Sequence, residues 1–172
     1  MALHLIVDGY NLIGALGGGP LDAVDSLESA REHLIEDLRR YKRIKRARIT
    51  LVFDSAGSPA SPRKETYKGI EVVYALAGEK ADDAIVRMVG RSAAGVVVVT
   101  SDAELARTCH RLGAATISSP EFRERLISAT IMEIKGGDED DEFDTRDSTE
   151  KRGPSRRLPS RLRVDRRRLR KV

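Results

Sequence analysis

Five short apolar runs constrain the fold of this chain more than any other feature. They are rich in Val, Ile, Leu and Ala and show little alternation with polar residues: Leu3 to Val7, Ile49 to Phe53, Ile70 to Ala75, Val96 to Thr100 and Ala114 to Ile117. A strand needs consecutive apolar residues when both of its faces are buried, as happens in a parallel sheet covered by helices on both sides. The runs therefore predict the buried strands of a parallel sheet.

In the segments between these runs, apolar residues show the spacing that is typical of helices. Apolar residues recur at intervals of three and four between the first two runs, which predicts a long amphipathic helix from about Asp22 to Lys45. Shorter repeats predict helices over Ala81 to Arg91 and Asp102 to Leu112, and a last helix over Glu121 to Ile134 follows Pro120. Strands and helices that alternate in this way, joined by right-handed crossovers, predict a three-layer α/β domain.

Charge divides the chain into three segments. Residues 1 to 136 carry a net charge of +1, residues 137 to 150 carry −7, and residues 151 to 172 carry +10. The last two segments are poor in the apolar residues that offset the entropy cost of ordering a chain. We therefore expect one folded domain over 1–136, an acidic linker over 137–150, and a basic, disordered tail over 151–172.

Composition excludes several classes of protein. The single cysteine, Cys109, cannot form an internal disulfide and offers no metal-ligand spacing. No apolar run approaches the length of a membrane span, and the N-terminal run lacks the basic flank of a signal peptide. We expect a cytoplasmic protein without a membrane partner, while the sequence leaves the oligomeric state open.

Four aspartates stand where an apolar run ends or a predicted helix begins: Asp8, Asp54, Asp82 and Asp102. Ligands of parallel α/β sheets bind beyond the carboxyl ends of the strands, so one edge of the sheet could gather these side chains. Carboxylates that share a site repel each other unless a cation or protons neutralise them, and Mg²⁺ prefers oxygen ligands. The pattern predicts a carboxylate pocket suited to a divalent metal ion.

Asp8 and Asp102 each have a structural explanation beside the functional one. A carboxylate at the mouth of a buried strand is costly without hydrogen bonds or a counter-ion, which makes Asp8 the strongest candidate. Asn11 could orient that carboxylate or cap the local turn. Asp102 could merely open its helix, but Ser101 and Glu104 form an S-x-x-E capping box that supplies the cap, so we interpret Asp102 as a site residue.

The other acids differ in how well local structure accounts for them. Asp82 shares the inward helix face with Ile85, whereas Asp83 lies four residues before Arg87 and can make an exposed ion pair with it. Asp54 precedes a stretch of Gly, Ser and Pro, so turn chemistry also explains it. Asp82 is therefore favoured over Asp83 as a site residue.

Several segments together resemble the NYN branch of the PIN-like nucleases, in particular its YacP-like subgroup. They are DGYNLI from Asp8, VFD from Val52, EKADDAIVRMV from Glu79, and TSDAELA from Thr100, followed by GA and SSPEF. The resemblance spans residues 3 to about 127. It implies a metal-dependent endoribonuclease with an acidic site at the carboxyl edge of a mainly parallel five-stranded sheet, in the order 3-2-1-4-5.

The resemblance also implies roles for individual residues. Asp8, Asp82 and Asp102 match the acidic positions, Asn11 matches the asparagine of the N-terminal motif, and Asp54 matches the acid after the second strand. Mg²⁺ or Mn²⁺ held by the first three would activate a water molecule and stabilise charge on the scissile phosphate of single-stranded RNA. All five are thus candidate catalytic residues.

Further candidates surround this set. Asp83, Thr100 and Ser101 are possible ligand or orienting groups.

RNA would need cations near the acids. Arg63 and Lys64 lie in the segment after Asp54, and Lys80, which stands where the subgroup often has Thr, lies beside Asp82. The arginine-rich tail could add phosphate contacts that do not depend on sequence. Members of the subgroup are linked to ribosomes and messenger RNA turnover, which implies RNA and a ribosome as partners. A non-catalytic RNA- or ribosome-binding adaptor with the same fold is the alternative.

Overall fold

The parallel sheet predicted from the apolar runs is present, with six strands rather than five. The structure, a computed structural model, describes residues 3–17, 24–55, 64–135, 168–169 and 171–172. The strands are β1 (His4–Asp8), β2 (Arg48–Phe53), β3 (Lys64–Tyr67), β4 (Ile70–Tyr74), β5 (Val96–Val99) and β6 (Ala115–Ile117), in the order β3-β4-β2-β1-β5-β6. All neighbours are parallel except β3 and β4. The five predicted strands have the predicted relative order.

The additional strand, β3, was missed for a physical reason. Its residues, KETY, are mostly exposed, because β3 is an edge strand that contributes nothing to the core. It pairs with β4 through a tight turn at Lys68 and Gly69, both of which have positive φ angles, of 50° and 81°. Two residues with positive φ are typical of the turns that join antiparallel strands. Local turn geometry, rather than an apolar pattern, creates this strand.

Five helices connect the strands of the described residues. They are α1 (Gly9–Ala15), α2 (Val24–Lys45), α3 (Ala81–Arg91), α4 (Ala103–Arg111) and α5 (Ser119–Lys135). Four correspond to predicted helices, and the bounds of α3 agree with the prediction. The short helix α1 was not predicted because its seven residues include two glycines and repeat no apolar spacing. None of these helices combines the length and apolar character needed to cross a membrane.

The helices cover both faces of the sheet, which confirms the three-layer arrangement. One core cluster joins α1, α2 and α5 to the sheet, and a second joins α3 and α4 to its opposite face. Alternate residues of β5 show why the valine run lacks polar positions: Val97 and Val99 belong to the first cluster, whereas Val96 and Val98 belong to the second. Cys109 is buried in the second cluster.

The last residues of the chain are part of the domain. Val172 is only 3% exposed and lies in the first core cluster, and the Tyr41 hydroxyl donates to its carbonyl oxygen. Arg125 donates to the carbonyl of Leu169, and Arg168 donates to that of Gly113 at 2.8 Å. These contacts involve residues of the segment 151–172, for which disorder remains a prediction. The acidic linker at 137–150 and residues 151–167 of the tail lie outside the described residues.

The junction of β1 and α1 packs tightly against an aromatic side chain, which generates a first prediction. A Cβ atom at Gly9 would lie less than 3.0 Å from three atoms of the Phe53 ring. That ring is fully buried between Tyr10 and Tyr74, at centroid distances of 5.0 and 5.9 Å, so it has little room to shift. We expect Gly9→Ala to lower the free energy of unfolding by about 1–3 kcal/mol, measured by urea denaturation.

Gly14 provides the matched control in the same helix. A Cβ atom there would meet no atom within 4 Å. Gly14→Ala should raise the free energy of unfolding by roughly 0.5–1 kcal/mol, because alanine loses less backbone entropy in a helix. Equal effects of the two substitutions would contradict the proposed clash.

Candidate active site

The predicted acids meet at the carboxyl edge of the sheet. Asp8 ends β1, Asp54 follows β2, Asp102 follows β5, and Asp82 lies in the first turn of α3. Because β1 pairs with both β2 and β5, the ends of these three strands are neighbours. The negative charges of Asp82 and Asp54 raise the pKa of Asp8, and those of Asp102 and Asp54 raise the pKa of Asp82. Asp82 thus interacts electrostatically with each of the other three aspartates.

Asp8 is the most buried of these acids. It is 8% exposed, and its carboxylate accepts hydrogen bonds from the Asn11 backbone N–H and the Thr100 hydroxyl, both at 3.3 Å. Burial raises the pKa of Asp8 to about 6, and the nearby charge of Asp82 adds to this increase. The two hydrogen bonds lower the pKa but do not compensate for burial. A cation beside Asp8 would therefore stabilise its ionised form.

Asp82 and Asp102 have opposite electrostatic environments. Burial first, and then the charge of Asp102, raises the pKa of Asp82, while Lys80 lowers it. Backbone N–H groups of Leu105 and Glu104 donate to Oδ1 of Asp102 at 2.8 and 2.7 Å, and these bonds lower its pKa. The site therefore combines a readily ionised acid with two acids whose negative charge is poorly compensated.

Asp102, rather than Ser101, caps helix α4. Its side chain accepts the two N–H groups of the first turn, whereas the Ser101 hydroxyl accepts the backbone N–H of Ser119 at 3.2 Å. The capping box predicted for Ser101 and Glu104 is therefore wrong. Both cap bonds use Oδ1 of Asp102, and no hydrogen bond from another described residue reaches Oδ2. The structural role of Asp102 leaves this oxygen available to a ligand.

Asp54 and Asp83 have roles that differ from those of the buried acids. Asp54 is exposed, and its Oδ1 accepts the backbone N–H of Ala81 at 2.6 Å, which fixes the first turn of α3 next to Asp82. Asp83 is also exposed, but the ion pair predicted between Asp83 and Arg87 is absent among the described residues. Arg87 instead donates to Glu79.

A hydrogen-bond network anchored on Asn11 joins three elements at the site. Oδ1 of Asn11 accepts the Ser101 backbone N–H at 2.9 Å and the Ser119 hydroxyl at 2.6 Å. Thr100 is 3% exposed, and its hydroxyl accepts the backbone N–H of Asp102 at 3.1 Å while it donates to Asp8. Ser119 was not among the predicted residues, although its place in SSPEF, directly before Pro120, marks a helix start. Asn11 therefore connects α1, the β5–α4 loop and α5.

The cations near the acids only partly match those expected. Lys80 is exposed and acts on Asp82, but the ammonium of Lys64 is 3.0 Å from a carboxylate oxygen of Glu71. Arg63 lies outside the described residues. Arg107, which sequence reasoning did not select, lies in α4 and lowers the pKa of Asp102. No local sequence signal distinguishes Arg107 from other arginines on helix surfaces.

The chemistry of the donor set fits a hard divalent cation. The groups are carboxylates, and burial together with neighbouring carboxylates raises the pKa values of Asp8 and Asp82, so a bound cation would favour their ionised forms. Within the part of the chain that the structure describes, no group of three or more His, Cys, Asp or Glu side chains is close enough to hold an ion. The side chains would have to adjust to bind a metal through three carboxylates.

A three-layer α/β domain with carboxylates at the carboxyl edge of its sheet is the arrangement expected of a PIN-like nuclease. Residues 5–170 match the YacP-like NYN domain, and the chain belongs to this family of PIN-like nucleases. The match extends through the segments predicted as linker and tail.

The chain is similar to proteins of Bacillus subtilis. The chain is 33% identical over 101 residues to "Uncharacterized protein YacP" of Bacillus subtilis (strain 168). This match covers 57% of this chain and 59% of that protein. The chain thus spans less than two thirds of this relative. The chain is also similar to two crystal structures of Rae1 (YacP) from Bacillus subtilis. The first is of a mutant; it has a TM-score of 0.64 and 26% sequence identity, and the match covers 77% of this chain and 80% of that chain. The second matches with a TM-score of 0.60, 27% identity and coverage of 80% and 85%.

The raised pKa of Asp8 predicts how stability depends on pH. The folded carboxyl keeps its proton up to about pH 6, whereas the unfolded one loses it near 3.8, so the folded state becomes less stable between these values. In EDTA near neutral pH, Asp8→Asn should therefore be more stable than the wild type by on the order of 2–3 kcal/mol. The difference should vanish as the pH falls toward 4, as measured by urea denaturation.

Glu104→Gln is the charge-matched control for this experiment, because it removes one negative charge from an exposed helix position. A stability difference between Asp8→Asn and the wild type that is independent of pH would contradict the assignment.

The buried Ser119 hydroxyl predicts a separate stability effect. Ser119 is 0% exposed, and its loss would remove one of the two hydrogen bonds to Oδ1 of Asn11. We expect Ser119→Ala to reduce the free energy of unfolding by about 1–2 kcal/mol in urea denaturation. Ser128→Ala, which removes an exposed hydroxyl bonded to its own helix, is the control and should have little effect. Equal stability of the two variants would argue against the network.

Proposed function

We propose that the protein is a Mg²⁺- or Mn²⁺-dependent endoribonuclease that cleaves single-stranded RNA, with messenger RNA on or near the ribosome as its substrate. One observation carries the proposal: the carboxylate of Asp8 is buried at the carboxyl edge of the sheet beside two further acids, and burial raises its pKa. Stability alone does not favour such a group, since burying a charge without a partner is costly. Membership of a PIN-like nuclease family agrees with a catalytic use.

The proposed roles follow from the contacts of each residue. Asp8, Asp82 and Asp102 would hold the metal ion, which supplies an activated water and stabilises charge on the scissile phosphate. Thr100 orients Asp8 through its hydroxyl, and Asp54 fixes the helix turn that carries Asp82. These two residues position the acids.

Asn11 and the remaining polar groups complete the site. Asn11 holds the loop that carries Ser101, and this loop leads into Asp102. Asp83 and Ser101 are assigned no direct contact with the phosphate, because Asp83 is exposed and the Ser101 hydroxyl bonds to Ser119. Lys80 supplies positive charge beside Asp82, and such charge attracts the phosphates of an RNA strand.

The central test is metal-dependent cleavage by Asp8→Asn. In the presence of Mn²⁺ and end-labelled single-stranded RNA, this variant should lose more than about 100-fold in rate, which exceeds the effect expected for an outer-shell partner. Thr100→Val should lose about 10–100-fold, because it removes only a bond to Asp8. Gel analysis of the products and circular dichroism of each variant are the measurements.

The same samples separate the nuclease from a non-catalytic adaptor. The adaptor alternative draws on the absence of a three-carboxylate metal group among the described side chains. A wild-type protein that binds RNA but produces no cleavage at any Mg²⁺ or Mn²⁺ concentration would refute the nuclease proposal. Asp83→Asn is the matched acidic control and should cut RNA at nearly the wild-type rate.

A further inference from the structure

An open cleft borders the acidic site on the side of α4. Its volume is about 780 Å³, and it lies between α4 and β6, the last strand of the described sheet. The residues that line it are Glu104, Ala106, Arg107, His110, Arg111 and Thr116. The cleft begins at the first turn of α4, directly after Asp102. Three of its six lining residues have basic side chains, so its chemistry differs from that of the acidic site.

Two arginines in this cleft lack an ionic partner. Arg107 and Arg111 are four residues apart, so they share one helix face and lie about 6 Å apart along the helix axis. Both are exposed, and neither forms an ion pair with any carboxylate in the described ranges. The Arg107 Nε atom donates to the Ala103 carbonyl at 3.1 Å, and Arg111 donates to the Thr108 hydroxyl at 3.2 Å. Their remaining N–H groups can reach a ligand in the cleft.

Several other arginines of the described residues pair with a carboxylate, in contrast to these two. Arg48 pairs with Glu71, Arg87 with Glu79, and both Arg39 and Arg40 with Glu36. Among the described residues that line the cleft, Glu104 is the only acid. The cleft therefore carries a net positive charge beside an acidic site.

Helix stabilisation explains only part of this arrangement. A cation in the last turn of a helix interacts favourably with the helix dipole, which accounts for Arg111. Arg107 lies in the middle of the nine-residue helix α4, and its charge acts on Asp102 at the opposite, N-terminal end. Its position connects the cleft to the acidic site.

We propose that Arg107 and Arg111 form a binding track for the phosphate backbone of single-stranded RNA, which leads from Asp102 along α4 toward Thr116. This proposal rests on the proposed function, because the track would bind the RNA that the acids are proposed to cut. None of the described residues that line the cleft is aromatic, so these residues offer bases no stacking partner. Binding in the track is therefore independent of base sequence.

The test is the salt dependence of RNA binding by the full chain. Binding of fluorescein-labelled oligouridylate and oligoadenylate is measured by fluorescence anisotropy in EDTA over a series of salt concentrations. The double variant Arg107→Gln/Arg111→Gln should bind both more weakly, and the slope of log K against log salt should fall in magnitude by about 1.4, since each single-strand phosphate contact contributes about 0.7. The loss should be similar for the two sequences.

Arg39→Gln/Arg40→Gln is the matched control, because it removes two positive charges from half-buried positions of α2. Its salt slope should stay within error of the wild type. The proposed track would be refuted by an unchanged salt slope in Arg107→Gln/Arg111→Gln. It would also be refuted by an equal decrease of the slope in the control.

A cleavage assay on the same proteins distinguishes the two proposals. Wild-type cleavage in Mn²⁺ together with unchanged binding by Arg107→Gln/Arg111→Gln overturns the track and leaves the nuclease proposal standing. Weakened binding by this variant, without cleavage by the wild type, supports the track as a contact of an RNA-binding protein and refutes the nuclease proposal.

Discussion

The rest of the site depends on the hydrogen bonds of one buried carboxylate, that of Asp8 at the end of the central strand β1. Asp8 is the last residue of β1 and also the N-cap of α1, because its side chain accepts a hydrogen bond from the backbone N–H of Asn11. The helix therefore begins directly after the strand. Gly9 makes this turn possible, because only hydrogen fits against the Phe53 ring. The same junction places Asn11 where its side chain holds the β5–α4 loop. A single strand-to-helix turn therefore positions an acid and the amide that organises its surroundings.

Most of the acids serve the fold and the site at once. Asp102 caps α4, Asp54 holds the first N–H of α3, and Asp8 caps α1. Acids are favourable at helix N-termini because the backbone N–H groups and the helix dipole stabilise negative charge. Three helix starts thus converge on one edge of the sheet and bring their capping carboxylates with them. A helix cap and a metal ligand can be the same residue here, since a carboxylate has two oxygens.

Positive charge is distributed unevenly around this acidic edge. On the β4 side, Lys64 and Arg48 both pair with the carboxylate of Glu71, which offsets one of their two positive charges. On the α4 side, Arg107 and Arg111 have no described carboxylate partner and face an open cleft. An RNA strand would gain more from the second surface, because the first would have to give up existing ion pairs. This distribution of charge is consistent with the proposed track along α4.

The sequence by itself determined the layered sheet and the acids at its edge, because buried strands and long amphipathic helices leave periodic apolar patterns. It did not determine β3 or α1, which arise from turn geometry and a side-chain cap and leave no such pattern. Tertiary structure alone decided that the Ser119 hydroxyl and the Ser101 backbone N–H both donate to the side chain of Asn11. These contacts join residues whose partners depend on how elements pack, and spacing along the chain does not encode that packing. The same holds for Val172, whose burial between α2 and α5 overrides the charged composition of the segment before it.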